Sequence, residues 1–219
     1  MKKNLLLLAL LGGTVTAAHA QTAIPAGTVS LGGNVGYYRR VSTAQIPGSS
    51  QEYKSVQSQF QIAPSVGYFV ADNLAVGLNL GYTTTKNTYT GPFSTPTSDL
   101  DPTTALRGGA YVEYYKMLTD QFGLVGTLGA GYQSSRTNTF GPGGGTTSSE
   151  IKAKGVYAGL TPGIIYFPIP KLGISATVGG LAYSRSKETP NASEPVTTEF
   201  GANFGLSQLQ FGGTYYFGR

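Results

Sequence analysis

Histidine and cysteine carry much of the nucleophilic, proton-transfer and metal-binding chemistry open to a protein, and this 219-residue chain nearly lacks both. There is no cysteine, and the one histidine, His19, sits in an N-terminal targeting segment. Lys2 and Lys3, the apolar run Leu5 to Leu11 and Ala18-His19-Ala20 read as a secretory signal peptide over residues 1–20, with cleavage expected after Ala20. The remaining domain, residues 21–219, then has neither residue type. That excludes a Ser-His or Cys-His hydrolase and any zinc or haem site built on those ligands. No catalytic residue, metal or cofactor is expected.

Carboxylate chemistry is the remaining option, and Asp99 and Asp101 are its nearest pair. Asp-Leu-Asp-Pro is better explained as a turn. Gly141-Pro-Gly-Gly-Gly145 lacks the strand-then-helix setting and the Lys-Ser/Thr of a phosphate loop, and reads as a loop tip. The formal charge of +5 falls to +3 once Lys2 and Lys3 are removed, too mild to argue for nucleic acid. Without cysteine there is neither a disulfide nor a lipoprotein anchor.

The elements that would position any site are strands. Residues Phe60 to Tyr68 and Leu74 to Tyr82 alternate apolar with small or polar residues on either side of Ala71-Asp72-Asn73. Period two on both arms with a short polar break predicts an antiparallel hairpin. A variant recurs from Pro162 to Ile174 around Pro-Ile-Pro-Lys. In chain order the alternation predicts strands over 29–38, 59–68, 74–82, 106–115, 122–132, 156–166, from 172 through 178 to the Gly179-Gly180 pair, and 200–217. Polar connections over 41–56, 86–103, 134–150 and 184–198 alternate with three short turns, the middle one at Thr119-Asp120-Gln121. Gly179-Gly180 predicts a bulge. The opposite parity of Phe200, Phe204 and Leu206 predicts a bulge or inward aromatics near Ser207.

Eight strands with short turns at one end and long connections at the other describe an all-β fold, an eight-stranded antiparallel up-and-down transmembrane β-barrel. Leu74 to Tyr82 rises about 20 Å and Phe122 to Tyr132 about 25 Å, at ~3.3 Å per residue and a tilt of ~40°. Period two does not say which face is inside, so a soluble barrel or sandwich is the competing reading. The bland Gly/Ser face, the scarcity of charge on the apolar face and the aromatics at strand ends favour the membrane. Tyr68, Tyr114, Phe122, Tyr166, Tyr215 and Phe217 would form one girdle, and Tyr37, Tyr82 and Tyr132 the other.

The segments PSVGYFVADNLAVGLNLGY, YVEYYKMLTDQFGLVGTLGAGY, LTPGIIYF and LQFGGTYYF resemble the small outer-membrane β-barrel family of Gram-negative bacteria, the OmpX/OmpA-like group with a porin-family β-barrel domain. The resemblance implies an integral outer-membrane location and contact with outer-membrane lipid and lipopolysaccharide. Its motifs are packing patterns and name no activity.

Within such a barrel Arg107, Tyr111, Glu113 and Tyr115 take the inward parity of one strand and form a candidate polar network in the lumen. Arg107 and Glu113 stand about 20 Å apart and cannot pair directly. Even offsets place Arg39, Lys86, Arg136, Lys152 and Lys154 outward above the upper girdle, a candidate collar for lipopolysaccharide phosphates; snorkelling is the competing account. Arg185 and Lys187 join it only if the Gly179-Gly180 bulge flips that strand. With Tyr38, Tyr111, Tyr115 and Tyr157 directed inward, the expected role is structural or interactive: a side-chain-filled lumen and four exposed loops that could meet an extracellular ligand. A small-solute pore is the alternative.

Overall fold

The computed structural model describes residues 23–45, 52–91, 102–140, 148–189 and 195–219. The signal-peptide segment, Asp99, Asp101 and Gly141 to Gly145 lie outside them. Eight strands follow one another: β1 (Val29–Gln45), β2 (Glu52–Ala71), β3 (Leu74–Thr90), β4 (Thr103–Met117), β5 (Phe122–Phe140), β6 (Ser148–Ile169), β7 (Leu172–Thr189) and β8 (Val196–Phe217). Each pairs antiparallel with its sequence neighbour, and β8 returns to β1 to close a barrel. The apolar alternation explains the closure: each strand has one face to bury in lipid, and a barrel has no edge there.

The apolar face points outward. Val76, Leu78, Leu128, Leu160 and Ile174 are all exposed, Leu78 at 62%. Asn79, Thr127, Tyr157 and Thr177 line interior cavities. At the short-turn end Tyr68, Tyr114, Tyr166, Tyr215 and Phe217 are exposed as a girdle, and Phe122 is half-buried.

The strands are longer than the alternation suggests. The segments read as polar connections are mostly ladder: Val41↔Val56 to Gln45↔Glu52 continue β1 and β2, and Ser134↔Lys154 to Phe140↔Ser148 continue β5 and β6. Beyond the girdle tyrosines both faces of the sheet meet water, so the apolar signal ends while Thr- and Ser-rich strand pairing goes on.

Both expected irregularities coincide. Val178 pairs with Leu209, but Gly179 pairs with Phe204, which leaves 205–208 of β8 without β7 partners. Gly179 has φ 99°, a conformation that costs glycine little and other residues much. The shift flips parity on both strands, so Leu181, Tyr183, Arg185 and Lys187 face outward above it, opposite Ala202, Phe200, Thr198 and Val196. Phe200 and Phe204 are 77% and 56% exposed, so the irregularity is a bulge and these aromatics do not turn inward.

β1 and β8 pair only from Val29↔Phe217 to Val35↔Phe211. Above that, β1 stays with β2 and β8 with β7, and no β1–β8 pair is found among the described residues. A cavity of about 660 Å³ occupies this seam, bordered by Tyr38, Arg40, Gln59, Gln61 and Gln210.

Placing an arginine at Leu78 would set a charge against the hydrocarbon midplane and cost about 2–4 kcal/mol. Leu78→Arg is expected to lower stability by that amount in reversible denaturant unfolding from phospholipid vesicles. Asn79→Leu, one step along on the lumen face, is expected to lose nothing through lipid contact.

Candidate functional site

Four aromatic doublets mark the lower ends of the even strands: Tyr68-Phe69, Tyr114-Tyr115, Tyr166-Phe167 and Tyr215-Tyr216. Alternation sends the first of each to lipid and the second to the lumen. The inward members Phe69, Tyr115, Phe167 and Tyr216 are at most 3% exposed and meet as a floor. Ring centroids lie 5.4 Å apart for Phe69–Tyr115, 6.0 Å for Phe69–Tyr216, 5.2 Å for Phe167–Tyr216 and 6.4 Å for Tyr115–Tyr216. These are tilted or edge-on contacts of the kind aromatic quadrupoles favour. Ala75, Met117, Val125 and Ile165 fill the gaps.

The floor has two parts that sequence reasoning missed. Ile24, in what reads as a plain leader, is fully buried in the same cluster. The β2–β3 turn holds it there: Ile24 N–H donates to Asn73 Oδ1 at 2.9 Å, and Asn73 N–H donates to the Ile24 carbonyl at 2.9 Å. Asn73 sits at φ 62°, which Asn tolerates better than most residues. From the other end Arg219 lays its guanidinium 3.5 Å from the Phe167 ring centroid and donates to the Asp120 carbonyl at 3.2 Å. The doublets were a usable sequence signal for the floor; nothing local marks Ile24 or Arg219.

Of the four expected lumen residues, the structure joins two. Tyr115 donates its hydroxyl to Glu113 Oε2 at 2.7 Å, and Thr127 donates to Glu113 Oε1 at 3.1 Å. The Tyr115 and Tyr216 hydroxyls are 3.2 Å apart. Because Tyr115 has one proton and directs it at Glu113, Tyr216 must be the donor between them. Tyr111 packs separately: a Cβ added at Gly77 would collide with its ring, and one added at Gly67 with its hydroxyl. Arg107 belongs to a third group higher up, its guanidinium 5.4 Å from the Tyr157 ring centroid, while Tyr157 donates to Asn79 Oδ1 at 3.3 Å.

Among the described residues, side chains pack the lumen most closely at the floor. Small inward residues leave a cavity of about 250 Å³ beside Glu113 and another of about 600 Å³ beside Arg107 and Tyr157, with Asn79, Thr127 and Thr161 lining both. Among the described residues no group of three His, Cys, Asp or Glu side chains could hold a metal ion.

On the outer wall the expected collar splits in two. Arg39 and Lys86 both register with Ser58 across β1, β2 and β3. On the far side Arg136 registers with Lys152, and Lys154 with Lys187. The bulge brings Arg185 into the second group, opposite Val156. Glu150 offsets part of it, 3.0 Å from Lys152 Nζ and 3.8 Å from Arg136 Nε.

Residues 5–207 match the family model described as the outer membrane protein beta-barrel domain. No curated protein matches the chain. Among solved structures, Neisserial surface protein A is 15% identical with a TM-score of 0.48, covering 87% of this chain and 99% of that one. OprG from Pseudomonas aeruginosa is 15% identical with a TM-score of 0.46, covering 88% and 97%. Ail of Yersinia pestis is 16% identical with a TM-score of 0.43, covering 88% and 99%.

Removing one floor ring leaves a cavity that the rigid barrel cannot collapse to fill. Phe69→Ala is expected to cost about 3–5 kcal/mol in equilibrium unfolding. Tyr216→Phe keeps the ring packing and removes only a hydroxyl pair, so it is expected to cost about 1 kcal/mol.

Proposed function

The chain belongs to the outer membrane β-barrel family, and from that premise we propose that it is a non-enzymatic structural and interaction protein, not a pore. It is an integral protein of the outer membrane, in contact with its lipid. Residues 1–20 direct export in this reading, and residues 21–219 form the barrel domain. The observation that carries the proposal is the floor. Phe69, Tyr115, Phe167 and Tyr216, with Ile24 among them, obstruct the axial route at the short-turn end. A solute entering from the wide end meets packed aromatic rings.

Strand length supports the interactive half. Phe122 to Phe140 rises about 45 Å, and its apolar part ends at Tyr132, about 25 Å up. Roughly 20 Å of paired wall then stands clear of the hydrocarbon. Such a wall lifts the upper strand ends beyond the lipid headgroups, where an extracellular ligand could reach them.

The collar supports a lipid partner. Lys154 and Lys187 face each other across β6 and β7, with Arg185 on the same face. The phosphates of lipopolysaccharide meet this basic outward face in this reading, at roughly 1 kcal/mol per cation. Arg39, Lys86, Arg136 and Lys152 complete the collar, and Glu150 opposes it.

In planar bilayers the purified protein is expected to give no discrete conductance steps. Reproducible single-channel steps from the intact protein would favour the pore instead. In vesicles of defined composition, Lys154→Gln with Arg185→Gln is expected to weaken lipopolysaccharide binding about 30-fold at low salt, the equivalent of two cations. Glu150→Gln should strengthen it. Unchanged binding in the double variant would leave snorkelling as the account of these side chains.

A further inference from the structure

We propose that the base of the lumen is a binding site for one monovalent cation, an alkali ion or a primary ammonium group, with Glu113 as its charged ligand. Glu113 lines the lower cavity of about 250 Å³ together with Asn34, Asn79, Thr127, Thr161 and Thr177. A water takes about 30 Å³ of liquid volume, so the space admits an ion and several waters.

The hydrogen bonds favour an ionised carboxylate, burial opposes it, and a bound cation would offset the cost of burial. Oε2 accepts from Tyr115 and Oε1 from Thr127, so both oxygens receive a hydroxyl donor. The relay from Tyr216 through Tyr115 aims one more proton the same way. A carboxylate offers about four lone-pair sites, and these bonds use two.

Among the described residues no positive charge answers it. Among the described residues Glu113 makes no ion pair. Arg107, on the same face of β4, is six residues higher, about 20 Å along the strand, and rests on Tyr157. The other titratable side chains facing the site are Tyr111, Tyr115 and Tyr216, phenols that are neutral at neutral pH. An anion kept from bulk water without a partner is costly, so a cation drawn from the lumen is favoured. The remaining ligands are hydroxyl and amide oxygens. One carboxylate among neutral oxygens suits a single positive charge; a divalent ion commonly takes more anionic ligands than this. The site does not depend on whether the floor passes solutes.

Proton and cation must then compete for Glu113. The test follows the Glu113 carboxyl carbon by NMR in the intact barrel in lipid nanodiscs, titrated with pH in low and high potassium and, separately, in low and high methylammonium. Ionic strength is held constant with tetraethylammonium, which is bulkier and has no N–H to donate. The midpoint is expected to fall as potassium or methylammonium rises, approaching one pH unit per tenfold increase once the site is saturated. The two arms tell an alkali-ion site from an ammonium site. A midpoint that ignores both cations would overturn the proposal. As an independent reading, the amide signals of Asn79 and Thr127 are expected to shift saturably with the cation, and Glu113→Gln should abolish that response. Shifts that persist in Glu113→Gln would assign the cation to other groups and overturn the role of Glu113.

Discussion

Backbone hydrogen bonding in a medium without water is the constraint on which this molecule depends. Every N–H and C=O within the hydrocarbon must find a partner, and an open sheet leaves two edges without one. The seven pairs from Val29↔Phe217 to Val35↔Phe211 remove those edges in the lower part of the barrel. Closure also fixes the two faces. Once the ladder is a ring, each residue's parity decides between lipid and lumen, and a one-residue slip would exchange Leu78 for Asn79.

The lumen follows from the same parity. On the even strands the lower aromatic doublets serve both solvents at once, with Tyr68, Tyr114, Tyr166 and Tyr215 at the lipid interface and Phe69, Tyr115, Phe167 and Tyr216 as the floor. The floor is the molecule's hydrophobic core, small and confined to one end. Above it inward glycine, serine and threonine leave space, so the barrel is a cup instead of a filled cylinder. Glu113 stands at the junction, its hydroxyl donors belonging to the floor and to β5 while it borders the cavity above.

The hairpins, the strand number, the direction of each face and the Gly179 bulge were legible because lipid imposes a strict period on the sequence it touches. Legibility stopped where that pressure stops. Val41 to Gln45 and Ser134 to Phe140 pair as regularly as the strands below them, yet carry no apolar alternation because water meets both faces. Ile24 was hidden for another reason: its partner Asn73 is 49 residues away, and a single isoleucine in a polar stretch has no period. For Arg107 and Glu113 the sequence separated them by strand geometry, and in the structure each has its own partners. What spacing did not reveal was which hydroxyls on other strands would reach Glu113, since Thr127 meets it only through the β4–β5 register.

The seam between β1 and β8 tests the opening constraint most severely. Val29 to Val35 climbs about 15 Å, so the two strands part while roughly 10 Å of a ~25 Å apolar band remains above them. Bare strand edges at that depth would be costly if they met hydrocarbon. They border instead a cavity of about 660 Å³ whose lining mixes outward Val35, Tyr37, Leu209 and Phe211 with inward Tyr38, Arg40, Gln59, Gln61 and Gln210. Irregular backbone at membrane depth is tolerated where it lines a polar cavity, and the amide and guanidinium groups make this one polar on its inner side. Arg40 stays near, 5.7 Å from the Tyr38 ring centroid. The β8 bulge sits just above Leu209, so the strand that leaves the ladder with β1 is also the one that slips against β7. Both departures fall in the same few residues, inside the apolar band and below its upper edge.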